Sequence, residues 1–232
     1  MEAIILAGGM GTRIRSVVSD LPKCMAPVAG QPFIFYLFNY LQRNNVKKII
    51  LSLGYKHEVV KEWIEQQNFP FNFAYSIEDE PLGTGGAIKK SIELVESEDV
   101  FILNGDTLFE IDLRVFKDIH KKSNLPLSLA LKPMTEFERY GNVEINDKHI
   151  ITGFKEKIYC KEGMINGGIY LLKKENHLMD NLSKKFSFET KILQQQAGQG
   201  IIQGYINTGY FIDIGIPLDY EKANKEFKRM FK

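Results

Sequence analysis

The segment Gly8-Gly9-Met10-Gly11-Thr12-Arg13, with Lys23 ten residues beyond Arg13, concentrates groups suited to holding a polyanion. Glycines let backbone N–H groups approach phosphate oxygens closely, and an arginine adds a planar fork that stays charged. Lys23 is compact and flexible, a point charge for a second phosphate. An ordinary glycine turn bordered by solvated basic residues would use the same residue types, so the reading depends on what else converges there. Two better-known glycine motifs do not fit. A P-loop needs G-x-x-x-x-G-K-[ST], which the sequence lacks, and a dinucleotide fingerprint needs a glycine three positions past Gly11, where Ile14 stands.

Other candidates lie further along. Asn104-Gly105-Asp106 follows the apolar run VFIL, and a carboxylate at a strand end is a natural ligand for Mg²⁺, which takes one or two carboxylates and completes its octahedron with phosphate and water oxygens. Glu78, Asp79 and Glu80 precede the small-residue run Pro81-Leu82-Gly83-Thr84-Gly85-Gly86-Ala87. The run resembles the nucleobase-side loop of sugar-1-phosphate nucleotidyltransferases, which implies a base lying against its backbone, with the acids accepting from the N1–H and amino group of guanine, where thymine offers only N3–H. Solvation of the three acids is an equal alternative. The four histidines (His57, His120, His149, His177) and two cysteines (Cys24, Cys160) sit at no metal-ligand spacing, so structural or surface roles are expected for them.

The elements that must position these groups follow from hydrophobic period. Strands are expected at 2–7, 48–53, 71–77 and 100–103, with helices at 33–44, 58–67 (Val59, Trp63 and Ile64 on one face) and 87–95. This alternation predicts an α/β fold, a Rossmann-like mostly parallel sheet flanked by helices on both sides. Beyond residue 121 the rhythm changes. Strands at 127–131, 142–145, 150–154, 165–172 and 200–206, with helices at 174–182, 189–196 and 219–231, predict a small antiparallel extension. In such sheets ligands collect beyond the C-terminal strand ends, so Gly8–Arg13 and Asn104–Asp106 should face one cleft.

At 232 residues and formal net charge +1, the chain has length for a sizeable core and no global field to draw it onto nucleic acid or anionic lipid. The apolar runs are shorter than the roughly 20 residues of a membrane span, and the first residues lack the basic start of a secretory signal. One domain over 1–232, cytoplasmic, without nucleic-acid or membrane partners, is expected. A homo-oligomer is compatible with the aromatic run at 33–38, which could serve core or interface.

Six ordered motifs resemble the sugar-1-phosphate nucleotidyltransferases. They are LAGGMGTR with Lys23 and Pro27-Val28; PLGTGGA; Asn104-Gly105-Asp106; Tyr140-Gly141-Asn142-Val143 with Phe154-Lys155-Glu156-Lys157; Asn166-Gly167-Gly168-Ile169-Tyr170; and Asp213-Ile214-Gly215-Ile216-Pro217. Cys24 stands where the family usually has proline, and Ala26 where it has leucine. The resemblance implies a GT-A-like nucleotidyltransferase fold without a C-terminal β-helix and transfer of a nucleoside monophosphate from an NTP to a sugar 1-phosphate. It implies catalytic roles for Arg13 and Lys23, and nucleotide binding by Leu6, Ala7, Gly8, Gly9, Gly11, Thr12, Glu80, Gly83, Thr84 and Asn104. It also implies sugar-phosphate binding by Gly141, Glu156, Lys157 and Asn166, and Mg²⁺ between Asp106 and Asp213. On spacing alone Asp213 would serve equally as a cap near Pro217, and Lys157 could pair with Glu156 on a solvated edge. Within the family the chain looks most like guanylyltransferases of D-glycero-α-D-manno-heptose 1-phosphate. Mannose-1-phosphate guanylyltransferases or UTP- or dTTP-using members are the nearest alternatives. A nucleotide-sugar sensor would need neither metal nor Arg13, and a glycosyltransferase would usually carry D-x-D, where Leu108 stands here.

Overall fold

Short aliphatic runs that end in glycine or polar turns become buried strands along the first half of the chain. The computed structural model describes residues 1–9 and 20–231, so Gly11, Thr12 and Arg13 lie outside the described residues. In chain order the elements are β1 (Glu2–Leu6), the short pair β2 (Pro27–Val28) and β3 (Gln31–Pro32), α1 (Phe33–Arg43), β4 (Lys48–Leu53), α2 (His57–Glu65), β5 (Asn72–Ile77) and α3 (Gly83–Ser91). There follow β6 (Asp99–Asn104), β7 (Thr107–Phe109), α4 (Leu113–Ser123), β8 (Leu127–Phe137), β9 (Val143–Ile145), β10 (Ile151–Phe154) and β11 (Cys160–Lys173). A π-helical segment (Glu189–Gln194), β12 (Ile202–Ile206), β13 (Phe211–Asp213) and α5 (Pro217–Met230) complete the described chain.

Among the described residues the main sheet has seven strands in the order β12-β8-β11-β6-β1-β4-β5. Every neighbouring pair is parallel except those made by β11, which runs against both β6 and β8. The antiparallel part is thus one reversed strand inside the sheet, joined by the pairs β9–β10 and β7–β13. Strand parity explains the two cores. Ala3, Ile5, Ile49, Leu51, Phe101 and Leu103 pack with α1, α2 and α5 on one face, while Ile4, Ile50, Val100 and Ile102 pack with Ile88 and Ile192 on the other. Strands buried on both faces need continuous apolar sequence, which is what EAIIL, KIILSL and DVFILN supply.

Several elements differ from the sequence expectation. Helix α3 starts at Gly83 rather than 87, because tertiary bonds override the poor helix propensity of glycine: the Glu78 carboxylate accepts from Leu82 N–H at 2.9 Å and the Phe186 carbonyl from Gly85 N–H at 3.0 Å. Residues 174–182 form turns rather than a helix. The Asn176 amide donates to the Lys173 carbonyl at 2.7 Å and its carbonyl accepts from Leu178 N–H at 3.0 Å, local bonds that compete with helix formation. The buried face of α2 centres on Val60 and Ile64, with Trp63 packed at its margin. Helix α4 had no counterpart in the sequence reading, although Asp112 caps it through Arg114 N–H and Val115 N–H.

On α4, His120 is fully buried, with Nδ1 2.7 Å from Ser128 Oγ and Nε2 3.6 Å from Asp99. Burial is the largest influence and lowers its pKa, opposed by the Asp99 carboxylate. The unfolded chain therefore takes up this proton near the ordinary value of about 6.5 while the folded chain resists it. Stability is full above that value and falls as pH drops below it, by at most about 1.4 kcal/mol per pH unit from this group. Melting temperatures between neutral and mildly acidic pH should fall less steeply in His120→Gln than in the wild type; equal slopes would remove His120 from the pH response.

Candidate active site

Strand β1 lies between β4 and β6, and the sheet is extended on its two sides by different parts of the chain, so the crevice beyond its carboxyl end is a topological switch point. Leu6 pairs in register with Asn104, the Leu6 carbonyl accepts from Gly105 N–H at 2.9 Å, and Ala7 N–H donates to the Ser52 carbonyl at 2.9 Å. These bonds bring the first residues of the glycine segment beside Asn104–Asp106. A cavity of about 430 Å³, ample for a small molecule, is lined here by Leu6, Ala7, Gly8, Gly9, Lys23, Gly83, Thr84, Asn104 and Asp106.

Lys23 opens a 3-10 turn whose next two residues, Cys24 and Met25, are buried, which leaves the lysine toward the cleft. Its ammonium pairs with the Asp106 carboxylate, the two side chains being 12% and 28% exposed. Burial pushes the Cys24 thiol up to about 12, so it is no nucleophile at neutral pH. Asp213 ends β13 and pairs in register with Thr107, the neighbour of Asp106, and Ile214 N–H donates to the Asp106 carbonyl at 3.0 Å. A side chain added to Gly215 would touch both the Asp213 carboxylate and Lys23 Nζ, so ammonium and second carboxylate share one small space. Asp213 does not cap α5: the N-cap is Ile216, without a side-chain bond, and Asp213 Oδ1 instead accepts from Gly215 N–H at 2.6 Å. Its other oxygen accepts from Arg139 at 2.8 Å. Arg139 also pairs with Asp219 and lies 4.8 Å over the Tyr140 ring. Burial and then Asp213 raise the Tyr140 hydroxyl to about 12, and its ring meets Phe211 edge-on.

On the other wall, Glu78 lines the cavity, while Glu80 is exposed and outside its lining. Glu78 is fixed by Leu82 N–H and by Ser52 Oγ, which donates at 3.3 Å. The glycines of the PLGTGGA run have a second partner besides any base. The 184–188 segment lies across them, Phe186 N–H donating to the Leu82 carbonyl and its carbonyl accepting from Gly85 N–H, both at 3.0 Å. A methyl group on Gly86 would fall on the Lys184 carbonyl. Gly86→Ala should therefore displace this segment, costing about 1–3 kcal/mol and raising the KM for nucleotide. Unchanged melting and KM would show that the segment yields freely.

Gly141 backs directly onto the Lys155 carbonyl, and Lys155 N–H donates to the Asn142 carbonyl at 2.8 Å, so the YGNV and FKEK motifs form one surface. Glu156 and Lys157 are exposed on the bend after β10 and outside the cavity lining; the ion pair found there joins Lys155 to Glu144 at 2.6 Å. Asn166 sits where the β8–β11 register shifts. Its amide donates to Tyr170 Oη at 2.9 Å and its carbonyl accepts from Gly168 N–H at 2.8 Å, which supports the positive φ of +73° at Gly168. A side chain there would strike Asn104, so this bulge lets Asn104 reach the cleft. Sequence reasoning passed over Arg139, Glu189 and Ser52. Only Arg139, beside Tyr140-Gly141, carried a local signal.

The nucleotidyl transferase family model matches residues 2–229. The chain belongs to this family. The nucleotidyl transferase is 51% identical over 228 residues to D-glycero-α-D-manno-heptose 1-phosphate guanylyltransferase of Aneurinibacillus thermoaerophilus, covering 98% of this chain and 99% of that one. It is 46% identical to the enzyme of the same name from Campylobacter jejuni, over 95% and 97% of the two chains. Among solved structures, HddC from Yersinia pseudotuberculosis complexed with GMP-PN superposes with a TM-score of 0.88 at 37% identity, covering 98% of the nucleotidyl transferase and 99% of HddC. These relatives agree with the fold class and enzyme class that the six motifs imply.

Proposed function

We propose that this chain transfers GMP from GTP to D-glycero-α-D-manno-heptose 1-phosphate, as one domain over 1–232 working in the cytoplasm. A sugar-phosphate oxygen attacks the α-phosphorus, the bond from that phosphorus to the bridging oxygen breaks, and pyrophosphate departs with the electron pair. Nucleophile and leaving group are already ionised, so the barrier is the approach of two anions in line. The observation that carries the reading is the convergence of Lys23, Asp106 and Asp213 beside the end of β1.

Asp106 and Asp213 form an oxygen-only pair of partly exposed carboxylates, each now neutralised by a cation of the chain, Lys23 or Arg139. That donor set suits a hard divalent cation. Mg²⁺ held there would offset phosphate charge and polarise the α-phosphate. The chain's own part is positioning. Gly8 and Gly9 offer close backbone approach, Arg13 and Lys23 neutralise the triphosphate and departing pyrophosphate, and Gly83, Thr84 and the acids before them hold the guanine. Lys157 and Glu156, carried on the exposed bend, meet the sugar phosphate together with Gly141 and Asn166.

Pyrophosphate release from each of five nucleoside triphosphates with several sugar 1-phosphates, with and without Mg²⁺, tests the proposal. GTP with the heptose phosphate should give the highest kcat/KM; preference for dTTP or UTP rejects the base assignment, and preference for mannose 1-phosphate rejects the sugar.

A further inference from the structure

Glu189 is a cleft residue to which the transfer chemistry gives no task. It opens the π-helical segment Glu189–Gln194, a rare geometry often found at functional positions, and it borders the same cavity as Gly8, Lys23 and Asp106. Its Oε2 accepts from Thr84 Oγ1 at 2.6 Å and from Ser187 Oγ at 2.8 Å. Thr84 Oγ1 in turn accepts from Phe188 N–H at 2.9 Å. These bonds lock the carboxylate on a wall built from α3 and the π-helical segment. Among the described residues, Oε1 takes no hydrogen bond.

A carboxylate so fixed repels phosphate and suits a neutral donor. Its place narrows the choice. Thr84 belongs to the small-residue run, while Tyr170, whose hydroxyl is held by Asn166 and whose pKa the Glu189 charge helps to raise, belongs to β11. Glu189 thus stands between the wall assigned to the base and the strand assigned to the sugar phosphate. The donors between those two positions are hydroxyls of the ribose and of the sugar ring. We infer that Glu189 is a specificity-determining residue that accepts a hydrogen bond from a substrate hydroxyl, an inference that rests on the transferase reading above.

The test compares wild type with Glu189→Gln, whose amide oxygen can keep Thr84 and Ser187 while the charged acceptor is lost. Calorimetric affinities are measured for GTP, 2′-deoxy-GTP, 3′-deoxy-GTP, ITP and sugar 1-phosphates lacking single hydroxyls, alongside turnover and melting temperature. The variant should melt like wild type and bind one substrate about tenfold or more weakly, the range for a hydrogen bond to a charged group. The analogue lacking the partnered hydroxyl should show that loss in wild type and no further loss in the variant; a nucleotide analogue behaving so assigns the ribose, a sugar analogue the acceptor sugar. Equal affinities of both proteins for every ligand overturn the inference, as does a variant changed only in its preference for GTP over ITP, which would assign Glu189 to the base. Wild type that binds GTP without turning over rejects the transfer reading and leaves Glu189 decided by the binding arms.

Discussion

Asp106→Asn is expected to lower turnover by about a thousandfold or more, the scale of losing a catalytic cation site worth several kcal/mol, while the protein melts close to wild type. The two halves of that outcome have separate causes. The backbone of the turn is held by bonds the substitution leaves alone: Gly105 N–H to the Leu6 carbonyl and Ile214 N–H to the Asp106 carbonyl. The side chain's remaining partners, Lys23 and Thr107 Oγ1 at 3.1 Å, are both donors, and an amide oxygen accepts from them as well. What asparagine lacks is charge. With Asp213 alone, the site loses half the negative charge available to hold a divalent cation. Pyrophosphate release across a Mg²⁺ titration, with a thermal melt of the same sample, measures both. Full activity would remove Asp106 from the cation site, and a collapsed melt would make it a folding residue instead.

Lys23→Met should lower kcat by about a hundred- to a thousandfold, the usual loss on deleting one charged or hydrogen-bonding group that stabilises a phosphoryl or oxyanion transition state. A second consequence has the opposite sign. The ammonium now sits on Asp106, so it would compete with a metal ion bound to that carboxylate. Removing it should lower the Mg²⁺ concentration needed for half-maximal rate even as the maximal rate falls. The double variant with Asp106→Asn should be scarcely slower than Asp106→Asn alone, because in the proposed reaction both residues would act on the same phosphates. Strictly multiplicative losses would place Lys23 and Asp106 in independent roles. Methionine preserves the apolar length of lysine, so the 3-10 turn and the buried Cys24 and Met25 beside it should hold.

Much of the architecture was open to sequence reading because burial on both faces of a parallel sheet demands continuous apolar runs, and EAIIL, KIILSL and VFIL have no other use. The glycine segment and the Asn104-Gly105-Asp106 turn were legible for the same local reason: each follows such a strand, and strand ends share a cleft. Helix α4 was missed because its buried face is only Leu113, Phe116 and His120 among charged neighbours. The helix expected at 174–182 gives way to turns because the Asn176 side chain takes up local backbone bonds that no hydrophobic period reveals.

Residue chemistry and motif order, all carried by the chain in one dimension, determined by themselves which groups suit a phosphate ligand and that the ends of β1 and β6 would carry them to one cleft. Which groups meet was decided only in three dimensions. Asp213 reaches Asp106 through the pairing of β13 with β7, Arg139 is drawn in by two carboxylates far along the chain, and Glu78 rather than Glu80 turns into the cavity because Leu82 N–H and Ser52 fix it there. Glu189 reaches Thr84 only because the 184–188 backbone packs on glycines too small to keep it away. Such contacts join residues distant in sequence through hydrogen bonds and close packing, forces that leave no period or spacing for a linear reading to detect.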